Sequence, residues 1–167
     1  RTADMLADDN FRKGEQVFET YGNKSNYEYL LFNGFVMKDN PNQCVHISLP
    51  ATSMDLAFGR PLTLKFCLDP KEKDTPIHLK RWGQAMQGQG SSDSGLERVI
   101  DWLDTKLARY ATAVKADKKL LKDLEKRNQD DEENLRWAVM LRMHEKKVLL
   151  KARQKLVQGE WKCCSVK

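Results

Sequence analysis

Two long runs of apolar residues at helical spacing, separated by a short polar joint, occupy residues 94–157. In the first, Leu96, Val99, Ile100, Leu103, Leu107, Tyr110 and Val114 recur every three or four positions, and Leu120, Leu121 and Leu124 resume the pattern. That spacing puts them on one buried face of a helix running from Ser94 to about Arg127, with a break or bend at Ala116-Asp117. In the second, Leu135, Val139, Arg142/Met143, Leu149, Leu150, Leu156 and Val157 mark another long helix. The polar joint Asn128 to Asp131 is too short to let the two helices separate, so they pack antiparallel. The chain is therefore expected to be mainly α.

Composition agrees with long solvated helices: 32% of the 167 residues are charged and 40% are hydrophobic. No apolar run reaches the roughly 18 residues of a membrane span. The net charge of +5 is uneven. Residues 1–50 hold five Lys/Arg against seven Asp/Glu, and residues 51–167 hold the remaining 24 against 17. A surplus of +7 interspersed with acids reads as a solvated helical surface. No nucleic-acid motif with its own spacing accompanies it, so no nucleic-acid partner is expected. A basic helical nucleic-acid binder is the reading that affinity falling steeply with salt would support.

The cysteines are Cys44, Cys67, Cys163 and Cys164, with no Cys-x-x-Cys pair. A reduced, intracellular chain is the simplest expectation. Cys44 and His46 lack a second ligand pair at metal spacing, so no metal is expected.

Gln16 to Tyr21 alternates polar and apolar residues between turn signals and reads as a short strand. Ser25-Asn26-Tyr27-Glu28 has the form of a capping box, and Gly34 suits the left-handed position that ends a helix. Phe35-Val36-Met37 resumes an extended run. Val45, Ile47 and Leu49 alternate as a half-buried strand ended by Pro50, where the β signal gives way to a helical one. Further on, the pattern predicts a helix over roughly 53–59, a strand over 62–68, and a helix opened by Thr75-Pro76 with Ile77, Leu79, Trp82 and Met86 on its apolar face.

Tyr21, taken alone, reads as an amphipathic residue with its hydroxyl at the rim of a core. Its surroundings say more. Phe18-Glu19-Thr20-Tyr21-Gly22, then Ser25-Asn26, then Gly34-Phe35 resemble, in letters and intervals, the closing segment of the SET domain in the class of Rubisco-lysine and actin-histidine methyltransferases. Residues 102–157, from Trp102-Leu103 through Tyr110, Asp117-Lys118-Lys119 and Leu141-Arg142 to Glu145-Lys146, resemble the helical substrate-binding domain that follows SET in that class.

The resemblance implies residues 1–37 as a small β-rich SET remnant, 38–50 as a connecting strand, 51–160 as an all-helical substrate-binding domain, and 161–167 as a tail. It implies the C-terminal portion of an S-adenosylmethionine-dependent protein-lysine or protein-histidine N-methyltransferase. Tyr21 becomes the catalytic hydroxyl, with Tyr21, Asn33 and Phe35 lining the cofactor pocket and Lys24 facing substrate. The implied partner is a substrate protein, and the implied state is a monomer in the cytoplasm or nucleus. The Gly-rich turn and Asn-His segment that complete the pocket in the family do not occur in these residues, so the chain alone is expected to be inactive. The alternative is a non-catalytic helical interaction module that carries a SET remnant.

Overall fold

The computed structural model describes residues 10–17, 21–50, 63–73, 76–85, 95–127 and 132–161. Helix α1 spans Asn26–Asn33. Strands β1 (Val45–Pro50) and β2 (Thr63–Leu68) form a two-stranded antiparallel sheet. Helices α2 (Ile77–Ala85), α3 (Gly95–Ala108), α4 (Val114–Arg127) and α5 (Glu133–Val157) follow. The fold is mainly α with a small sheet, as the periodicity predicts.

The local signals explain most boundaries. The Ser25 hydroxyl accepts the Glu28 N–H while the Glu28 carboxylate accepts the Ser25 N–H at 2.8 Å, closing the capping box. Gly34 ends α1 at φ 77°, a left-handed conformation that glycine adopts without a Cβ penalty. The Pro76 carbonyl accepts the Lys80 N–H at 3.0 Å and so starts α2. In β1, Val45, Ile47 and Leu49 turn inward while His46 and Ser48 stay exposed.

Four expectations need correction or fall elsewhere. Residues 16, 17 and 21 of the strand expected over Gln16 to Tyr21 are not in a strand, nor are 35–37, and residues 18–20 lie outside the described residues. A strand needs a ladder partner, and among the described residues β1 and β2 pair only with each other. The break in the first long helical run lies at residues 109–113, upstream of Ala116-Asp117. Asp117 sits inside the first turn of α4, where a carboxylate is favourable. The reduced-cysteine expectation fails as well: Cys44 and Cys67 form a disulfide. The register places His46 opposite Cys67, which brings Cys44 within a Cα–Cα distance of 5.5 Å. The helix expected over 53–59 lies outside the described residues.

One apolar cluster joins the sheet to three helices. Ile47, Leu49 and Leu68 meet Leu79 and Trp82 of α2, Val99 and Leu103 of α3, and Leu149, Ala152 and Leu156 of α5. Each leucine sealed there contributes about 1.5–3 kcal/mol of transfer free energy. Trp161 belongs to the same cluster, and its indole N–H donates to the Glu72 carbonyl at 3.1 Å. A second cluster, Leu121, Leu124, Val139 and Met143, zips α4 to α5. Arg127 pairs with Glu132 near the joint, and Asp117 pairs with Arg142 and Lys146 at the far end, which fixes the two helices as antiparallel.

Candidate functional site

The turn before α1 and the turn after it come together. Gly22 has φ 75°, and its carbonyl accepts the Tyr29 hydroxyl at 2.7 Å. That bond holds the backbone next to Tyr21 against the helix. Phe35, just past Gly34, stacks on the buried Tyr29 with ring centroids 5.1 Å apart and meets Tyr21 at 5.9 Å in a tilted arrangement. Lys24 Nζ donates to Asn33 Oδ1 at 3.3 Å and lies 6.0 Å from the Tyr21 ring centroid. The four site residues named from sequence, Tyr21, Lys24, Asn33 and Phe35, thus form one cluster around α1. Tyr21 is exposed, whereas the other three are half-buried.

Beneath this cluster is a polar hub that sequence reasoning missed. Asn26 is fully buried. Its Nδ2 donates to the Met37 carbonyl at 2.8 Å and to His144 Nδ1 at 2.9 Å. Its Oδ1 accepts from the Met37 N–H and from Asn40 Nδ2, both at 3.1 Å. Its own N–H donates to Gln43 Oε1 at 3.0 Å. Every polar group of the side chain is therefore satisfied, as burial requires. Asn26 was noticed only as part of the Ser-Asn motif, because its key partner is 118 residues away.

His144 is nearly buried as well. Burial, with Lys147 nearby, holds its imidazole below the ordinary histidine range, and Asp39 opposes this. The ring is neutral, and its Nδ1 is an acceptor. Ser25 extends the network to β1 through a 3.0 Å contact between its hydroxyl and His46 Nε2.

A buried ion cluster anchors α4 to α5. Asp117 is inaccessible to solvent, and its carboxylate receives the Thr112 hydroxyl and Arg142 Nη2, each at 2.7 Å. It also pairs with the buried Lys146, whose ammonium donates to the Thr112 carbonyl at 2.7 Å. Burial works to raise the Asp117 carboxyl, but the bonds from Lys146, Thr112 and Arg142 outweigh it and hold the group below the ordinary carboxylate value.

Nearby, a cavity of about 210 Å³ is lined by His46, Trp102, Lys106, Tyr110 and Glu145, among others. The Tyr110 hydroxyl donates to Glu145 at 3.0 Å. Burial raises both groups, so each stays protonated to a higher pH than when free. Among the described residues no cluster of metal-ligating side chains occurs, and no helix is long and apolar enough to cross a membrane.

The chain is similar to actin-histidine N-methyltransferases: 25% identical to that of Papio anubis and 24% identical to that of Homo sapiens, each over 89% of this chain. It spans 31% of the length of these relatives. Residues 66–149, half of the chain, match the family model described as Rubisco LSMT substrate-binding. That segment runs from within β2 to the middle of α5 and contains α2, α3, α4 and the Asp117 cluster, so the chain belongs to the Rubisco LSMT substrate-binding family.

Proposed function

We propose that this chain is the C-terminal portion of an S-adenosylmethionine-dependent protein N-methyltransferase that modifies a lysine or histidine side chain. Residues 1–37 close its SET-type catalytic domain, 38–50 connect, and 51–160 hold the substrate protein. The observation that carries this reading is the meeting of Tyr21 and Phe35, 5.9 Å apart, at the two ends of a capped helix in a chain of this family. The reading carries with it a monomer.

The residues present fit one wall of such a cofactor pocket. Phe35 has one face against Tyr29 and remains half-buried, which suits stacking on an adenine. The Asn33 amide offers polar groups at the same rim, although its Oδ1 is engaged by Lys24. The Tyr21 ring already has an ammonium within cation–π range, so it tolerates a positive charge of the kind that a sulfonium or a target amine brings. When bound, the cofactor supplies the electrophilic methyl group. Tyr21 contributes a hydroxyl, on a backbone held beside α1 by the Gly22–Tyr29 bond, able to orient a nucleophile's lone pair. Lys24 stands at the approach to that hydroxyl, where the substrate arrives.

On this reading the 167 residues transfer no methyl group alone, and the polypeptide extended at its N-terminus does. Mass spectrometry of protein substrates incubated with S-adenosylmethionine tests both statements. In the extended protein, Tyr21→Phe should lower the rate by about 10²–10³-fold, the range for losing one preorganised transition-state donor. Transfer by the isolated chain, or an unchanged rate in Tyr21→Phe, would defeat the proposal.

A further inference from the structure

A cleft of about 260 Å³ opens between the loop after α1 and one face of α5. Lys38 and Asp39 line it from the loop, Lys71 from the turn after β2, and His144, Lys147 and Lys151 from α5. Positions 144, 147 and 151 share a helical face. Four ammonium groups therefore surround one carboxylate.

These ammonium groups are exposed at the cleft, and carboxylates answer the cations elsewhere on the described helices. Asp117 answers Arg142 and Lys146, Asp104 answers Arg153, and Glu132 answers Arg127. By contrast, Lys38, Lys147 and Lys151 make no ion pair among the described residues, and Lys71 donates to a neutral acceptor, the Pro41 carbonyl.

The cleft also includes a directed donor. The amide of Asn26 is oriented by the Met37 N–H and carbonyl, so its Nδ2 must donate to His144 Nδ1. The neutral imidazole then carries its proton on Nε2. That N–H has no partner among the described residues, and the ring, 8% exposed, lines the cleft. An N–H donor that opens on the cleft, with four ammonium groups lining the same space, favours an anion there.

We infer that the cleft seats the carboxylate side chains of an acidic segment in the bound substrate protein. The inference rests on the reading that this domain holds a protein substrate. Lysines on three separate elements suit several monodentate carboxylates, whereas a planar fork of arginines would suit one bidentate group. Among the described residues no Phe, Tyr or Trp ring lines the cleft to stack a base, which disfavours single-stranded nucleic acid.

The test uses the full chain and fluorescence anisotropy. The probes are a labelled peptide rich in Asp and Glu, the same peptide with Asn and Gln in their place, inorganic phosphate as competitor, and a labelled oligonucleotide of equal charge. The acidic peptide should bind with an affinity that falls with salt, and its amide counterpart should not. The exposed pair Lys147→Glu/Lys151→Glu should weaken binding by about tenfold or more, the loss expected when attraction becomes repulsion. The control pair Lys118→Glu/Lys122→Glu, on the exposed side of α4, should change it by less than about twofold.

Equal binding of the amide peptide, displacement by phosphate at comparable concentration, tighter binding of the oligonucleotide, or an equal loss in the control pair would each overturn the inference. Loss of peptide binding with methyl transfer by the extended protein intact refutes the cleft alone. Peptide binding with an unchanged rate in Tyr21→Phe refutes the methyltransferase reading alone.

Discussion

Asn26 shows what a single side chain does in this molecule. Its backbone N–H and its side-chain amide together tie α1 to the loop that reaches Gln43 and to α5. Asn26→Ala strands at least the Met37 N–H and the Asn40 amide, so it should cost about 3 kcal/mol in urea unfolding at neutral pH. Its partner His144 makes that joint sensitive to acid. The folded ring titrates below its ordinary value of 6.5 because it is buried, so the unfolded state binds the proton first. Stability from this residue is complete above about pH 6.5 and declines as pH falls below it. His144→Gln should flatten that part of the stability–pH curve.

Asp117 obeys the same rule in a lower range. Its folded value lies below 3.8, so its contribution holds above that pH and is lost as pH falls through the folded value. Asp117→Asn leaves Lys146 buried without its counter-charge and should destabilise the fold by about 3–5 kcal/mol at pH 7, read from denaturant midpoints.

At the scale of elements, the disulfide and the sheet reinforce each other. Cys44 and Cys67 are 23 residues apart in sequence, and closing a loop of that length restricts the unfolded chain by about 3 kcal/mol. Reduction should lower the denaturant midpoint accordingly while leaving the helical circular dichroism unchanged.

The elements also show what could be read beforehand. Apolar periodicity placed β1, β2, the short α2 and the two long helical runs, because each buries one continuous face. The capping box and Gly34 placed α1 to the residue, because capping is local chemistry. Strand pairing was not legible: nothing in Gln16 to Tyr21 or Phe35-Val36-Met37 says whether a partner strand exists. The Asp117 position misled because a buried aspartate in a first helical turn has the same letters as a helix break. The cluster of Tyr21, Lys24, Asn33 and Phe35 was legible from intervals within 15 residues. The Asn26–His144 bond and the lysine cleft were not, since they join positions that only the packing of α1 on α5 brings together.

For the whole molecule, the shared core matters most. β1, β2, α2, α3 and α5 bury their apolar faces in one cluster, and Trp161 plugs its end. Unfolding should therefore be one transition, with tryptophan fluorescence and far-ultraviolet circular dichroism giving the same midpoint. Trp161→Ala should cost about 3–5 kcal/mol and shift both signals together. Separate midpoints for the two probes would show that the sheet and the helical hairpin fold apart.

Helix α5 has 25 residues and carries, in order, Arg142 and Lys146 on Asp117 with His144 between them on Asn26, then Arg153 on Asp104 and Leu156 in the core. It works like a camshaft, in which the angular phase between lobes matters more than any one of them. A helix turns about 100° per residue, so one residue inserted after Lys146 would rotate Arg153 and Leu156 out of phase with His144. No conservative substitution could restore that timing, and insertions in this rod should be far less tolerated than substitutions along it.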